Sequence, residues 1–192
     1  MRPWIAALVV SLVATSGAWA KTRPAPTLTP DLAPVGFLLG RWASDDGQVA
    51  ATGQASRGTS SFTAQSEGAA LLRRDHTELL DKSGAVSGGL DQVMLIYAEG
   101  GGLRADYVDG QHVIHYATAA VVPGKSVVFT SAGGAGAPTF RLAYQLVDPK
   151  TLSVAFSMAP PGSSAFHPIA TGTLRHGFGR RSAPKDEAAR SR

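Results

Sequence analysis

Along most of its length this chain alternates apolar and polar side chains with a period of two, the mark of strands with one buried face. Phe140, Leu142, Tyr144 and Leu146 share one face, with Arg141, Ala143 and Gln145 on the other. Leu152, Val154, Phe156 and Met158 repeat the pattern against Ser153, Ala155 and Ser157. Between the two runs lies Asp148-Pro149-Lys150, where proline sets the first central φ of a turn. Together they predict a hairpin with one apolar face.

A second hairpin is expected from Leu103 to Val108 and Gln111 to Ala119. These runs flank Asp109-Gly110, which tolerate the positive φ of a two-residue type I′ turn. That turn pairs Val108 with Gln111, Tyr107 with His112, Ala105 with Ile114 and Leu103 with Tyr116. Leu103, Ala105, Tyr107, His112, Ile114 and Tyr116 then face inward, and Arg104, Asp106, Val108, Gln111, Val113 and His115 outward.

Further strands are expected at Gly36–Ala43, Ser60–Gln65, Ala69–Glu78, Gln92–Tyr97, Ser126–Ser131 and Ile169–His176. Turn-rich stretches separate them, among them Lys82–Gly89, Gly100–Gly102, Pro123–Lys125 and Gly133–Pro138. A turn near Thr29–Ala33 is the one helical expectation. About ten short strands joined by short turns predict an all-β fold, an up-and-down antiparallel β-barrel, because closing the ribbon removes its exposed edges.

The ends of the chain read differently. Arg2 precedes an apolar run from Ile5 to Val13, interrupted by Ser11. Ala18-Trp19-Ala20 then offers small residues where a signal peptidase reads them. The expectation is a signal peptide over 1–20, removed before Lys21. The run is too short to cross a bilayer, which takes about 20 apolar residues, so no membrane span is expected. Four prolines between Lys21 and Pro34 predict an extended linker over 21–34. The barrel domain is then expected over 35–178, with a basic disordered tail over 179–192.

Charge follows the same division. The chain carries 18 Lys and Arg against 14 Asp and Glu. Between Lys21 and Phe178 the two signs balance at twelve each, and the tail supplies Arg180, Arg181, Lys185, Arg190 and Arg192 against Asp186 and Glu187. The excess is terminal, so a nucleic-acid partner is not expected. The chain has no cysteine. Disulfides, thiolate nucleophiles, cysteine zinc sites and a lipoprotein anchor drop out together. The expected location is therefore outside the cytoplasm, periplasmic or secreted, without a lipid anchor.

The motifs of catalysis are missing. Gly124-Lys125-Ser126 resembles the end of a phosphate loop, yet Ala119 stands where its first glycine belongs and Val127-Val128-Phe129 continues as a strand. Gly133-Gly134-Ala135-Gly136 lacks the spacing of a dinucleotide loop. His112 and His115 are three apart on an expected strand and point to opposite faces, so no shared metal is expected. There is no Gly-x-Ser-x-Gly elbow. Arg73-Arg74-Asp75-His76 alternates across the sheet and is read as a solvated or edge face. Tyr107, His112 and Tyr116 on the inward face read either as a cavity lining or as partly buried rings with backbone partners.

Phe37-Leu38-Leu39-Gly40-Arg41-Trp42, an apolar run leading into Gly-x-Trp, resembles the opening of lipocalin-like (calycin) barrels. It looks closest to bacterial lipocalin-like domains of unknown function and to nitrobindin-type haem barrels. The resemblance implies that Gly40 permits close backbone approach and that Trp42 plugs one end. It implies a histidine haem ligand late in the barrel, where His167 and His176 both lie. After the tryptophan this chain departs from the nitrobindin pattern, with Ala43-Ser44-Asp45-Asp46-Gly47 in place of Gly-x-Gly. The expectation is an exported, non-enzymatic barrel binding a small apolar or amphipathic ligand through Trp42, Tyr107, His112, Tyr116 and Tyr144, with no resident cofactor or metal. The alternatives are a haem barrel and a ligand-free envelope protein.

Overall fold

A computed structural model describes residues 27–133 and 136–177. The expected signal peptide, most of the linker's first half and the expected basic tail lie outside the described residues. Ten antiparallel strands form a closed barrel in which each pairs with the next and the last returns to the first. They are β1 (Gly40–Val49), β2 (Gln54–Gln65), β3 (Ala70–Leu80), β4 (Val86–Glu99) and β5 (Gly102–Val108). β6 (Val113–Val122), β7 (Ser126–Ser131), β8 (Thr139–Asp148), β9 (Thr151–Ala159) and β10 (His167–His176) complete it. This is the up-and-down barrel that the alternation predicts. No helix among the described residues is long and apolar enough to cross a membrane.

The β8–β9 hairpin forms as expected with its apolar residues on one face, Phe140 opposite Met158, Leu142 opposite Phe156 and Tyr144 opposite Val154. Asp148 closes its turn by accepting the Lys150 amide at 2.8 Å. The β5–β6 hairpin does not. Tyr107 pairs with Ile114 and Ala105 with Tyr116, two residues beyond the expected register. The turn is the four residues Asp109–His112, because the Asp109 carboxylate accepts the amides of Gln111 (3.0 Å) and His112 (2.7 Å). A shift of two preserves the faces, so Tyr107, Ile114 and Tyr116 still point inward. His112 is corrected: it sits in the turn with its side chain 65% exposed, outside the barrel face.

Two strands run well past their apolar cores. β2 begins at Gln54 and β4 at Val86, where the expected strands began at Ser60 and Gln92. The added stretches are small and polar, with glycines that read as turn. Gly58 shows why they belong in the sheet. A Cβ there would stand 2.3 Å from the His76 carbonyl oxygen, so only glycine lets β2 approach β3 so closely.

One barrel end is closed by a plug. Pro34 falls within a 3-10 helix, Ala33–Leu38, and β1 therefore starts at Gly40, four residues later than expected. Leu32, Val35 and Leu38 are fully buried, and Leu28 packs against the same core. The linker boundary is thus corrected: the folded unit includes Leu28 and Leu32. Four apolar side chains seal a tube that would otherwise expose Leu71, Ile96, Val127 and Leu152, all at 0% exposure. The Thr29 amide donates to Gly68 O at 3.1 Å and the Gly124 amide to Pro34 O at 2.8 Å, tying the plug to the β2–β3 and β6–β7 turns. Gly40 turns the chain into β1 at φ +120°, and a Cβ there would lie 2.5 Å from His176 Nε2. At the other end the inward positions Ser56, Thr77, Leu79, Leu90, Phe140 and Met158 are half-exposed.

Candidate ligand site in the barrel interior

Strand pairing arranges the interior in cross-strand rows. One row runs Phe62, Arg73, Met94, Tyr107, Ile114, and the next toward the half-exposed end holds Ser60, Asp75 and Gln92. Alternation on β3 sends Arg73 and Asp75 inward with Leu71, while Arg74 and His76 face solvent. The expected solvated face for this run is therefore half wrong. Its alternation holds, and one of its two faces lies inside the barrel.

Arg73 is enclosed by partners. Its Nη2 donates to Asp75 Oδ2 and to Gln92 Oε1 (3.1 Å), and Nη1 reaches Met94 Sδ at 4.0 Å. Ser60 Oγ donates to the second Asp75 oxygen at 2.6 Å. The two charged side chains are 8% and 9% exposed. A buried charge is tolerated only when paired and hydrogen-bonded, and this pair meets both conditions. Burial works against the Arg73 cation, but the Asp75 charge leads the effects that outweigh it, and the guanidinium pKa is held above its ordinary value.

Tyr144 approaches from β8, with Arg73 Cζ 5.7 Å from its ring centroid and the Phe62 ring edge-on at 5.6 Å. Its hydroxyl is buried and has no hydrogen-bond partner, and the same holds for Arg73 Nε. Burial pushes the pKa of Tyr144 and Tyr116 up, against the opposing pull of Arg73, so both stay protonated at neutral pH. Tyr107 is likewise raised, by burial and by donating to Asp109 Oδ2 at 3.0 Å. Toward the half-exposed end Phe140 and Phe156 stack at 5.7 Å and 14°.

Of the residues expected to bind a ligand, Tyr107, Tyr116 and Tyr144 meet inside the barrel. Trp42 is buried, but at the plugged end, where its indole N–H donates to Leu38 O and its ring meets His176 edge-on at 4.7 Å. Arg73, Asp75, Ser60 and Gln92 were missed. The available signal was parity: Arg73 and Asp75 continue the face of Leu71 on a strand. A separate open depression of about 420 Å³ lies beside the plug, touched by Asp31, Pro34, Glu99, Gly101, Leu103 and Pro123. None of the expected ligand residues lines it.

The barrel encloses none of the histidines among the described residues. All five, at 76, 112, 115, 167 and 176, are exposed; of the two late in the barrel, His167 lies across the sheet from Met158 and His176 from Trp42, against whose ring it packs. Among the described residues no cluster of three or more His, Cys, Asp or Glu is placed to hold a metal ion.

No protein-family model matches the chain, and no curated protein does. Among solved structures it is similar to EF1p2_mFAP2b bound to DFHBI, with 13% identity and a TM-score of 0.41 over 77% of this chain and 99% of that one. A redesigned β-barrel is similar at 13% identity and a TM-score of 0.38, covering 78% and 98%. Both likenesses are too slight to carry a function.

Proposed function

We propose that this protein is an exported small-molecule-binding barrel, periplasmic or secreted, that holds an apolar or amphipathic ligand inside the barrel and performs no catalysis. The unpartnered Tyr144 hydroxyl beside the Arg73–Asp75 pair carries this reading. A tube held together by packing alone gains nothing from such a group, since an unmet buried donor costs about 1–3 kcal/mol. A ligand atom accepting its hydrogen bond removes that cost. The half-exposed end, opposite the plug, is the side from which a ligand would enter.

Absence of catalysis rests on pairing. Ser60 donates to a carboxylate already engaged by Arg73, which leaves it a poor base, and among the described residues no histidine is hydrogen-bonded to Ser60 or to the interior tyrosines' hydroxyls. Export rests on Arg2, the Ile5–Val13 run and Ala18-Trp19-Ala20. The test is to express the mature chain, extract it with organic solvent for mass spectrometry, and titrate it with a polarity-sensitive fatty-acid probe. No co-purifying molecule together with no saturable binding rejects the proposal. An intact 1–20 segment on protein recovered outside the cytoplasm rejects its cleavage.

A further inference from the structure

Resting on the binding reading above, we infer that the interior site takes a ligand with an uncharged carbonyl head, a ketone, ester or amide oxygen, and discriminates against the corresponding carboxylate. The Arg73 charge is already matched. Asp75 occupies Nη2, and Gln92 shares it. What remains unmet is a pair of donors, Arg73 Nε–H and the Tyr144 hydroxyl. Neither guanidinium nitrogen nor a phenol serving as donor asks for a formal charge. A carbonyl oxygen has two lone pairs and suits either donor without bringing a charge.

A carboxylate also accepts, but it would bring a second negative charge beside Asp75 in a region stripped of water. With Arg73 already neutralised, nothing balances that charge, and its desolvation is uncompensated. Tyr144 remains a donor throughout the neutral range because burial opposes its ionisation. The apolar body of the ligand lies toward the half-exposed end, along the stacked Phe140 and Phe156.

Three probes sharing one fluorophore separate the possibilities. They are 6-propionyl-2-dimethylaminonaphthalene, 6-dimethylamino-2-naphthoic acid, and 2-dimethylaminonaphthalene without a head group. Each is titrated into the purified protein at pH 7.5, where the acid is ionised, and read by its emission shift. The ketone is expected to bind at least roughly tenfold tighter than the acid, whose charge must be desolvated. Tyr144→Phe removes only the hydroxyl and preserves the ring. It should weaken the ketone roughly three- to tenfold, the range of one hydrogen bond, and leave the head-less probe unchanged. Acid binding equal to or tighter than ketone binding overturns the inference while the binding reading stands. So does equal weakening of all three probes by Tyr144→Phe. Saturable binding of none of them overturns both.

Discussion

The indole N–H of Trp42 donates to the carbonyl oxygen of Leu38 across 2.8 Å, and this bond locks the plug onto the first strand of the barrel. Leu38 is the last residue of the 3-10 helix, where a carbonyl has no helical partner to accept. Trp42 meets that need and fills the space beside His176. Gly-x-Trp is thus a packing device at the closed end, and Trp42 acts on stability ahead of any ligand contact.

Trp42→Phe should therefore destabilise the protein by about 2–3 kcal/mol, from one lost hydrogen bond to a buried carbonyl plus a cavity. Urea unfolding followed by circular dichroism measures it. Probe binding by the folded variant should be unchanged, because Trp42 lies at the far end from Phe140 and Phe156. Loss of binding with no loss of stability would return Trp42 to the ligand site.

The plug extends the folded unit toward the N-terminus. Leu32 is fully buried against the barrel core, so Leu32→Ala is expected to cost about 2–5 kcal/mol. A chain beginning at Val35 loses Leu28 and Leu32 together and should unfold at distinctly lower urea than one beginning at Thr27. Matching midpoints for the two chains would show that the segment rides on the barrel without holding it.

Arg73 and Asp75 form a buried pair whose removal is asymmetric. Arg73→Met leaves a carboxylate without its cation, and Asp75→Leu leaves a guanidinium without its anion. Each should cost about 3–5 kcal/mol. The double variant, with no stranded charge, is expected to recover most of that loss. A double-mutant cycle by denaturant unfolding gives the coupling directly. Additive losses would mean that the pair contributes only through its separate contacts.

How far these arrangements can be read from the chain depends on what each rests on. The β8–β9 hairpin was legible because both strands alternate cleanly and Asp148-Pro149-Lys150 fixes the turn. The β5–β6 register was not, since Asp-Gly suits a two-residue turn and the Asp109 carboxylate binding two later amides is a side-chain event. The long ends of β2 and β4 escaped because glycine serves there for close strand approach, and sequence shows only its habit of turning. The three interior tyrosines were found by face. Their polar neighbours were not, because a charged Arg-Arg-Asp-His run looks solvated until closure of the barrel decides which side of β3 is inside.

The Asp109 turn makes a pH prediction. Burial alone would raise the Asp109 pKa, but the amides of Gln111 and His112, the His112 ring and the Tyr107 hydroxyl lower it below its ordinary value. A carboxyl with a depressed folded pKa stabilises fully above its unfolded value, about 3.9, and loses that contribution as pH falls through the folded value. Stability should therefore decline below about pH 4. Asp46, lowered by the Thr173 amide and by Ser44 and Arg175 against the opposing effect of burial, declines in the same window. Asp109→Asn retains an acceptor for the amides and cannot ionise. It should be less stable than wild type at pH 7, with a shallower acid decline, while Asp46, Asp81 and Asp148, all likewise lowered, preserve the remainder. Urea midpoints collected from pH 7 to about pH 2.5 test this directly. Parallel curves for the two proteins would remove Asp109 from the acid response and leave the four-residue turn without its proton-linked anchor.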